Sequence, residues 1–200
     1  MRIVVVGATG TIGRAVAAAL SHTHEVVGLT RHSAPLAVDL ERPDSIRAMY
    51  ATIGPLDCVV SAAGAARFAP LAQLGDADFS FSLANKLMGQ VNLVRFGLER
   101  VRDGGSFVLT SGVLARSPMK GSAAISLVNA ALEGFARAAA LEAPRGLRVN
   151  VVSPPWVTDT LVALGMDPAH GLTPEAVAAA YVEAVEGRVN GTVIEPTASR

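Results

Sequence analysis

Short β-branched runs alternate with longer stretches of helical spacing along the whole chain. Ile3, Val4, Val5 and Val6 predict a strand buried on both faces, and Ile12, Val16, Ala19 and Leu20 predict a helix starting near Thr11. Glu25–Thr30 reads as a second buried strand and Leu36–Leu40 as a short third one. The connection between them is too short for a regular crossover helix, which predicts a trimmed loop. Pro43-Asp44 opens a helix with Ile46, Met49, Tyr50 and Ile53 on its buried face, and Gly54-Pro55 stops it. Asp57–Ser61 predicts the next strand, followed by a loop with a short turn over Ala65–Leu74.

A long helical pattern then runs from about Asp76 to Val101 through Leu83, Leu87, Val91, Val94 and Leu98. Gly104-Gly105 ends it, and Ser106–Ser111 is a strand. Gly121-Ser122 opens a second long helix that reaches Ala143, with Ile125, Val128, Leu132 and Phe135 on its apolar side. Leu147–Val152 is a strand, Ser153-Pro154-Pro155-Trp156 forces a turn, Thr173 to Glu186 is a last helix, and Thr192–Glu195 a terminal strand. No repeat or linker interrupts this order. It predicts an α/β fold, a Rossmann-like doubly wound parallel sheet with helices on both faces, as one domain over residues 1–200.

Composition narrows the function classes. Half of the 200 residues are hydrophobic, 17% are charged, and the net charge is zero. A nucleic acid or an anionic membrane needs a basic footprint, so neither is expected as the main partner. Cys58 is the only cysteine and reads as a small buried core residue, which fits a reducing compartment. The sequence shows no signal peptide, and no apolar run of membrane-spanning length is expected, since Asn129, Glu133, Arg137 and Glu142 break the Ala-rich stretch. A cytoplasmic protein without a metal site is the expectation.

The candidate chemistry begins at Gly7, Gly10 and Gly13. Placed between a buried strand and an amphipathic helix, they form a turn that cradles a pyrophosphate. Gly7 permits the tight turn, Gly10 lets backbone approach the phosphates, and Gly13 packs helix on strand; the helix N-terminus offers free N–H groups to the anion. An acidic residue at the end of the second strand would accept from a ribose 2′-hydroxyl and select NAD. Arg31 stands there instead, with His32 and Ser33, and its forked donors suit a 2′-phosphate, so NADP(H) is favoured over NAD(H). Ser61-Ala62-Ala63-Gly64 leaves room for a ligand at the end of a central strand.

These segments, taken in order, resemble the short-chain dehydrogenase/reductase family over nearly the whole chain. GATGTIG at 7–13, containing Thr9, Thr11 and Ile12, resembles the family's glycine motif, with spacing nearer its extended and atypical branches. The resemblance assigns Asp39, beside Leu40, to the adenine amino group, and aligns Ser61–Gly64 with an Asn-Asn-Ala-Gly-like turn. ALEGFARAAALEA at 131–143 resembles the dimer-forming helix, which implies a homodimer or homotetramer. Pro154-Pro155-Trp156-Val157 replaces the Pro-Gly turn beside the nicotinamide.

The family's Tyr-x-x-x-Lys pair is missing. Its positions fall at Ile125, which has no titratable proton, and Asn129, whose amide retains the capacity to hold a ribose hydroxyl. The serine position falls at Ser111 or Gly112, and the asparagine position at Lys86. Ser111, Lys86 and Asn129 are therefore the candidate catalytic residues, with Lys86 a relocated cation or acid. Tyr50 and Tyr181 read as packing residues, His22 and His24 lie on the far side of the sheet, and His170 sits in a loop, Met166–Leu172, where the resemblance implies a substrate lid, within the segment Thr158–Thr173 expected to shape the substrate pocket. Three readings stay open: an NADP-dependent reductase of a small carbonyl compound with a non-standard acid; a catalytically silent dinucleotide-binding sensor or partner-binding protein; and a structural subunit paired with an active relative through the Ala-rich helix Ser122–Ala143.

Overall fold

The structure, a computed structural model, describes residues 1–32 and 36–197. Six parallel strands form one sheet: β1 (Arg2–Val6), β2 (Glu25–Leu29), β3 (Leu56–Ser61), β4 (Val101–Thr110), β5 (Arg148–Val152) and β6 (Val193–Ile194). Their order is β2-β1-β3-β4-β5-β6, so the chain leaves β1 in one direction to reach β2 and in the other to continue. The crevice at that reversal, outside the carboxyl ends of the strands, is where open α/β sheets bind ligands.

The continuous apolar runs of the strands are explained by cover on both faces. Val4, Val6, Val59, Phe107, Leu109, Val149 and Val151 face α2 (Pro43–Thr52), the helical segment 87–98 and α5 (Ala123–Glu142). Ile3, Val5, Cys58, Val60, Val108 and Val152 face α1 (Thr11–Leu20) and α7 (Pro174–Glu186). Adjacent residues along each strand thus belong to opposite cores, the period of two expected of a pleated chain.

Three expectations need correction. Leu36–Leu40 is extended but joins no ladder: the Val38 amide donates to the Thr30 carbonyl (3.0 Å), and Val38 and Leu40 are buried under the sheet edge. The short connection turns into α2 before a parallel pairing can build up. The long helix from Asp76 is three segments: α3 (Asp76–Ser82), a π-helical turn (Leu83–Met88) and α4 (Gly89–Gly97). It ends at Gly97, and Gly104-Gly105 lies within β4, where the register against β3 shifts. Arg145 holds that entry in place by donating to the carbonyls of Leu98 and Val101.

The third correction concerns α5. By length and mean hydropathy (1.3) this helix does reach what a membrane span requires. In the fold it lies against the sheet, burying Ala124, Val128, Leu132 and Ala136. The segment 158–173 also contains a short helix, α6 (Thr158–Ala163), that the sequence reading does not predict.

Candidate active site

Gly7 turns with φ +89°, and a Cβ there would sit 2.8 Å from the Ala63 Cβ and 2.9 Å from the Ala62 carbonyl oxygen. A Cβ on Gly13 would lie 2.0 Å from the Gly7 oxygen, so α1 can start only where it does. Gly10, by contrast, is crowded only by the Gly7 oxygen at 3.3 Å. It is the N-cap of α1, whose first turn has no side-chain cap and no acidic residue. Its free N–H groups are left for an anion. The cradle fits the pyrophosphate of a dinucleotide.

Two clefts open from this turn. The first, about 260 Å³, is bounded by Ile12, Ala62–Gly64, Lys86, residues 110–114, Ile125, Asn129, residues 154–157 and Thr160. It therefore gathers Lys86, Ser111 and Asn129 with Ile12, Ala62, Ala63, Gly64, Pro154 and Val157. The second is lined by Gly7, Arg31, Val38, Leu40, Ala63–Ala65 and Asn85. Thr9, Gly10, Thr11, Gly13, His32 and Asp39 line neither cleft, and Ser33 lies outside the described residues.

The π-helical turn sets which residue serves which cleft. Asn85 accepts from the Ala65 amide (2.7 Å) and donates to Glu41 (2.7 Å), on the second cleft's side. Lys86, the next residue, reaches the carboxyl end of β4, where Nζ donates to the carbonyls of Thr110 (3.4 Å) and Ser111 (3.5 Å). Gln90 ties the turn down, donating to the carbonyls of Lys86 (3.1 Å) and Thr110 (3.0 Å) and accepting from the Thr110 amide (2.8 Å). Gly64 makes room for the lysine stem, since a Cβ there would lie 3.0 Å from Lys86 Cγ. Helical segments of this kind recur at functional sites.

Lys86 is 6% exposed, and burial pushes its pKa down to about 8 from 10.5. It is the single ionisable side chain lining the first cleft among the described residues. On α5, Asn129 is 2% exposed and its buried Oδ1 has no hydrogen-bond partner. An orphaned acceptor costs free energy until something donates to it, and a ribose hydroxyl has the proton to do so. Glycine turn and Asn129 together fit a nicotinamide dinucleotide.

Ser111 lines the first cleft but has a partner of its own. Its hydroxyl donates to Glu133 (2.9 Å), whose carboxylate also takes both Arg116 contacts (2.9 and 3.0 Å). A hydroxyl has one proton to donate, so Ser111 has none for a carbonyl oxygen in the cleft. Gly112, the alternative register, has no side chain, and a Cβ there would lie 3.1 Å from Asn129 Nδ2. Neither position supplies a donor.

Arg31 is likewise not a bare cation: it pairs with Asp39 (3.4 Å) and Glu41 (3.3 Å). The Asp39 carboxylate also accepts from the Glu41 amide (3.1 Å), so it serves the loop rather than standing free for an adenine. Glu41 and Glu133 are the site residues that sequence reasoning missed. The available signal was a carboxylate interrupting an apolar stretch, LAVDLE for the first and NAALEGF for the second.

The other candidates sit elsewhere. Tyr181 is buried with its hydroxyl 2.6 Å from Thr110 Oγ1, and Tyr50 donates to the Leu93 carbonyl (2.5 Å). Burial raises both phenols' pKa values, and both are packing residues as expected. His24 meets Glu186 at 3.0 Å, and His170 is on an exposed turn that lines neither cleft. The Cys58 thiol is buried and its pKa pushed up to about 11, the state of an inert core residue.

Comparison with known proteins agrees with this geometry. The family model described as enoyl-(acyl carrier protein) reductase matches residues 7–189. The protein lin1944 from Listeria innocua superposes with a TM-score of 0.93 at 36% identity, covering 98% of this chain and 100% of that one. A small-chain dehydrogenase in complex with NADPH superposes with a TM-score of 0.86 at 26% identity, covering 98% of this chain and 95% of the other. Short-chain dehydrogenase/reductase ATR9 from Stachybotrys chlorohalonatus is 33% identical over 166 residues, which is 72% of this chain and 64% of that protein. The chain belongs to the short-chain dehydrogenase/reductase family. It spans about half the length of most of the curated relatives it matches.

Proposed function

We propose that this protein is an NADP(H)-dependent reductase of a small carbonyl compound in which Lys86 takes the place of the missing tyrosine. One observation carries the reading. Lys86 is the ionisable side chain of a cleft that also holds the glycine turn's neighbours and the unpartnered Asn129. The complex of a structural relative with NADPH supports the cofactor class.

The chain's own groups divide the work. The amides at the start of α1 bind the pyrophosphate, and Asn129 accepts from a ribose hydroxyl. Arg31 exchanges its carboxylate partners for a 2′-phosphate. Bound reduced nicotinamide supplies a hydride. Lys86, with a pKa near 8, is still largely protonated at neutral pH and holds a proton ready for the carbonyl oxygen. Ile12, Leu114, Ile125, Trp156 and Val157 exclude water around it. The same reading has the protein acting in the cytoplasm as a homo-oligomer joined through α5, whose outer side exposes Leu127 and Leu141.

The test is NADPH oxidation with a panel of small aldehydes and ketones, using wild type, Lys86→Arg and Lys86→Met. Turnover that falls by 10²–10⁴-fold in Lys86→Met, the usual worth of a positioned acid, supports the reading. Unchanged turnover in Lys86→Met removes Lys86 from the chemistry. Nucleotide binding with no turnover on any carbonyl leaves the silent-binder reading in its place.

A further inference from the structure

The first cleft holds a charge without a counter-charge. Lys86 finds only two carbonyl oxygens, at 3.4 and 3.5 Å, both long for a hydrogen bond of this kind. Neither the buried carboxylate of Glu133 nor the exposed one of Glu41 forms an ion pair with it. Glu133 is committed to Ser111 and Arg116, and Glu41 to Arg31 and Asn85. A buried ammonium without an anion is unfavourable, and a ligand that brings the anion removes that cost. The ammonium has three N–H donors and two weak acceptors, so at least one donor remains for a ligand.

The rest of the cleft sets limits on that ligand. Among the described residues no second cation lines it, and its walls are mostly apolar, so there is a place for one anionic group and a short hydrocarbon body. At about 260 Å³ it is small, and the nicotinamide takes part of it. The anionic group and the reacting carbonyl must therefore share Lys86. They do so when they are on neighbouring carbons, where one ammonium donates to both oxygens at once. A carboxylate farther along the chain would draw Nζ away from the carbonyl.

We propose that the substrate bound by this cleft is a small 2-oxo acid, its carboxylate paired with Lys86 and its short alkyl tail against Ile125 and Trp156. This rests on the reductase reading for the position of the carbonyl, but the charge pairing can be measured without turnover.

The experiment is calorimetric titration with 2-oxohexanoate and with the uncharged hexane-2,3-dione, in the presence and absence of NADP⁺. Wild type is expected to bind the acid at least about tenfold more tightly than the dione, the usual worth of a hydrogen bond to a charged group. Lys86→Met loses that preference and Lys86→Arg keeps it, with circular dichroism verifying that each variant folds. Equal affinity of wild type for acid and dione overturns the inference, as does a preference that survives in Lys86→Met. NADP⁺ is titrated separately. Nucleotide binding without acid preference sinks only this inference, whereas acid preference without nucleotide binding sinks the reductase reading and leaves the anion site standing.

Discussion

At pH 7 Lys86 carries a charge into the interior, and burial has brought its pKa down to about 8 from 10.5. Between those values the unfolded chain binds a proton that the folded chain does not, so stability contributed through this group rises with pH across that window. Below pH 8 both states are protonated and the full cost of burial is felt. Lys86→Met is therefore expected to stabilise the protein at pH 7, by on the order of 1–3 kcal/mol, with the gain shrinking as pH rises from 8 towards 10.5. Urea denaturation of both proteins at pH 7 and pH 10 measures it, and a gain independent of pH would contradict the account. Glu133→Ala is expected to act in the other direction, costing about 1–3 kcal/mol by leaving the buried Ser111 hydroxyl without its acceptor and Arg116 with only Glu195 and Ser153; the midpoint of the same denaturation curve reads it.

Lys86 was legible as a cation in an apolar helix, and Asn129 as an amide in place of a lysine, because residue type and spacing are local facts. The partner of Ser111 was not legible for the opposite reason. Its proton goes to Glu133, a partner 22 positions away that only the fold brings within reach. The Arg31 pairing with Asp39 and Glu41 was hidden in the same way by the turn between β2 and α2.

Among the elements, the β1–α1 unit separates the packing use of glycine from the phosphate-binding one. Gly13→Ala places a methyl 2.0 Å from the Gly7 oxygen and is expected to destabilise the fold by more than about 2 kcal/mol. Gly10→Ala meets only a 3.3 Å contact at an N-cap with ordinary φ of −73°. It is expected to change stability by less than about 1 kcal/mol while weakening nucleotide binding. Thermal melting with parallel nucleotide titration distinguishes them, and similar effects on both properties in both variants would contradict the division.

Where elements were misread, the cause was tertiary. Leu36–Leu40 has the apolar content of a strand, yet its short connection leaves it as buried coil, with Leu40 packed on Gly89. The pattern from Asp76 kept its helical period across Leu83–Met88, so periodicity gave no warning of the π-helical turn. That turn is what lets the neighbours Asn85 and Lys86 serve different clefts.

For the whole molecule, the alternation of strands and helices was sufficient to predict the parallel, doubly wound sheet, and the reversal between β1 and β3 locates the crevice. The expectation of a homo-oligomer rests on the family resemblance alone, because an apolar helix face looks alike whether it meets a sheet or a second subunit. Leu141, 88% exposed on α5, gives the test: sedimentation is expected to show a dimer or tetramer that Leu141→Glu weakens. A monomeric wild type would remove α5 as an interface.

The account as a whole depends on the cleft being a working dinucleotide site although Ile125 and Asn129 stand where the resemblance implies a tyrosine and a lysine. Calorimetric titration of the purified protein with NADPH and NADH tests this most directly. The account predicts saturable one-to-one binding of NADPH, tighter than NADH, with the difference flattened or reversed by Arg31→Asp. Failure of both nucleotides to bind at high concentration would contradict it, and would leave the glycine turn as a feature of the fold alone.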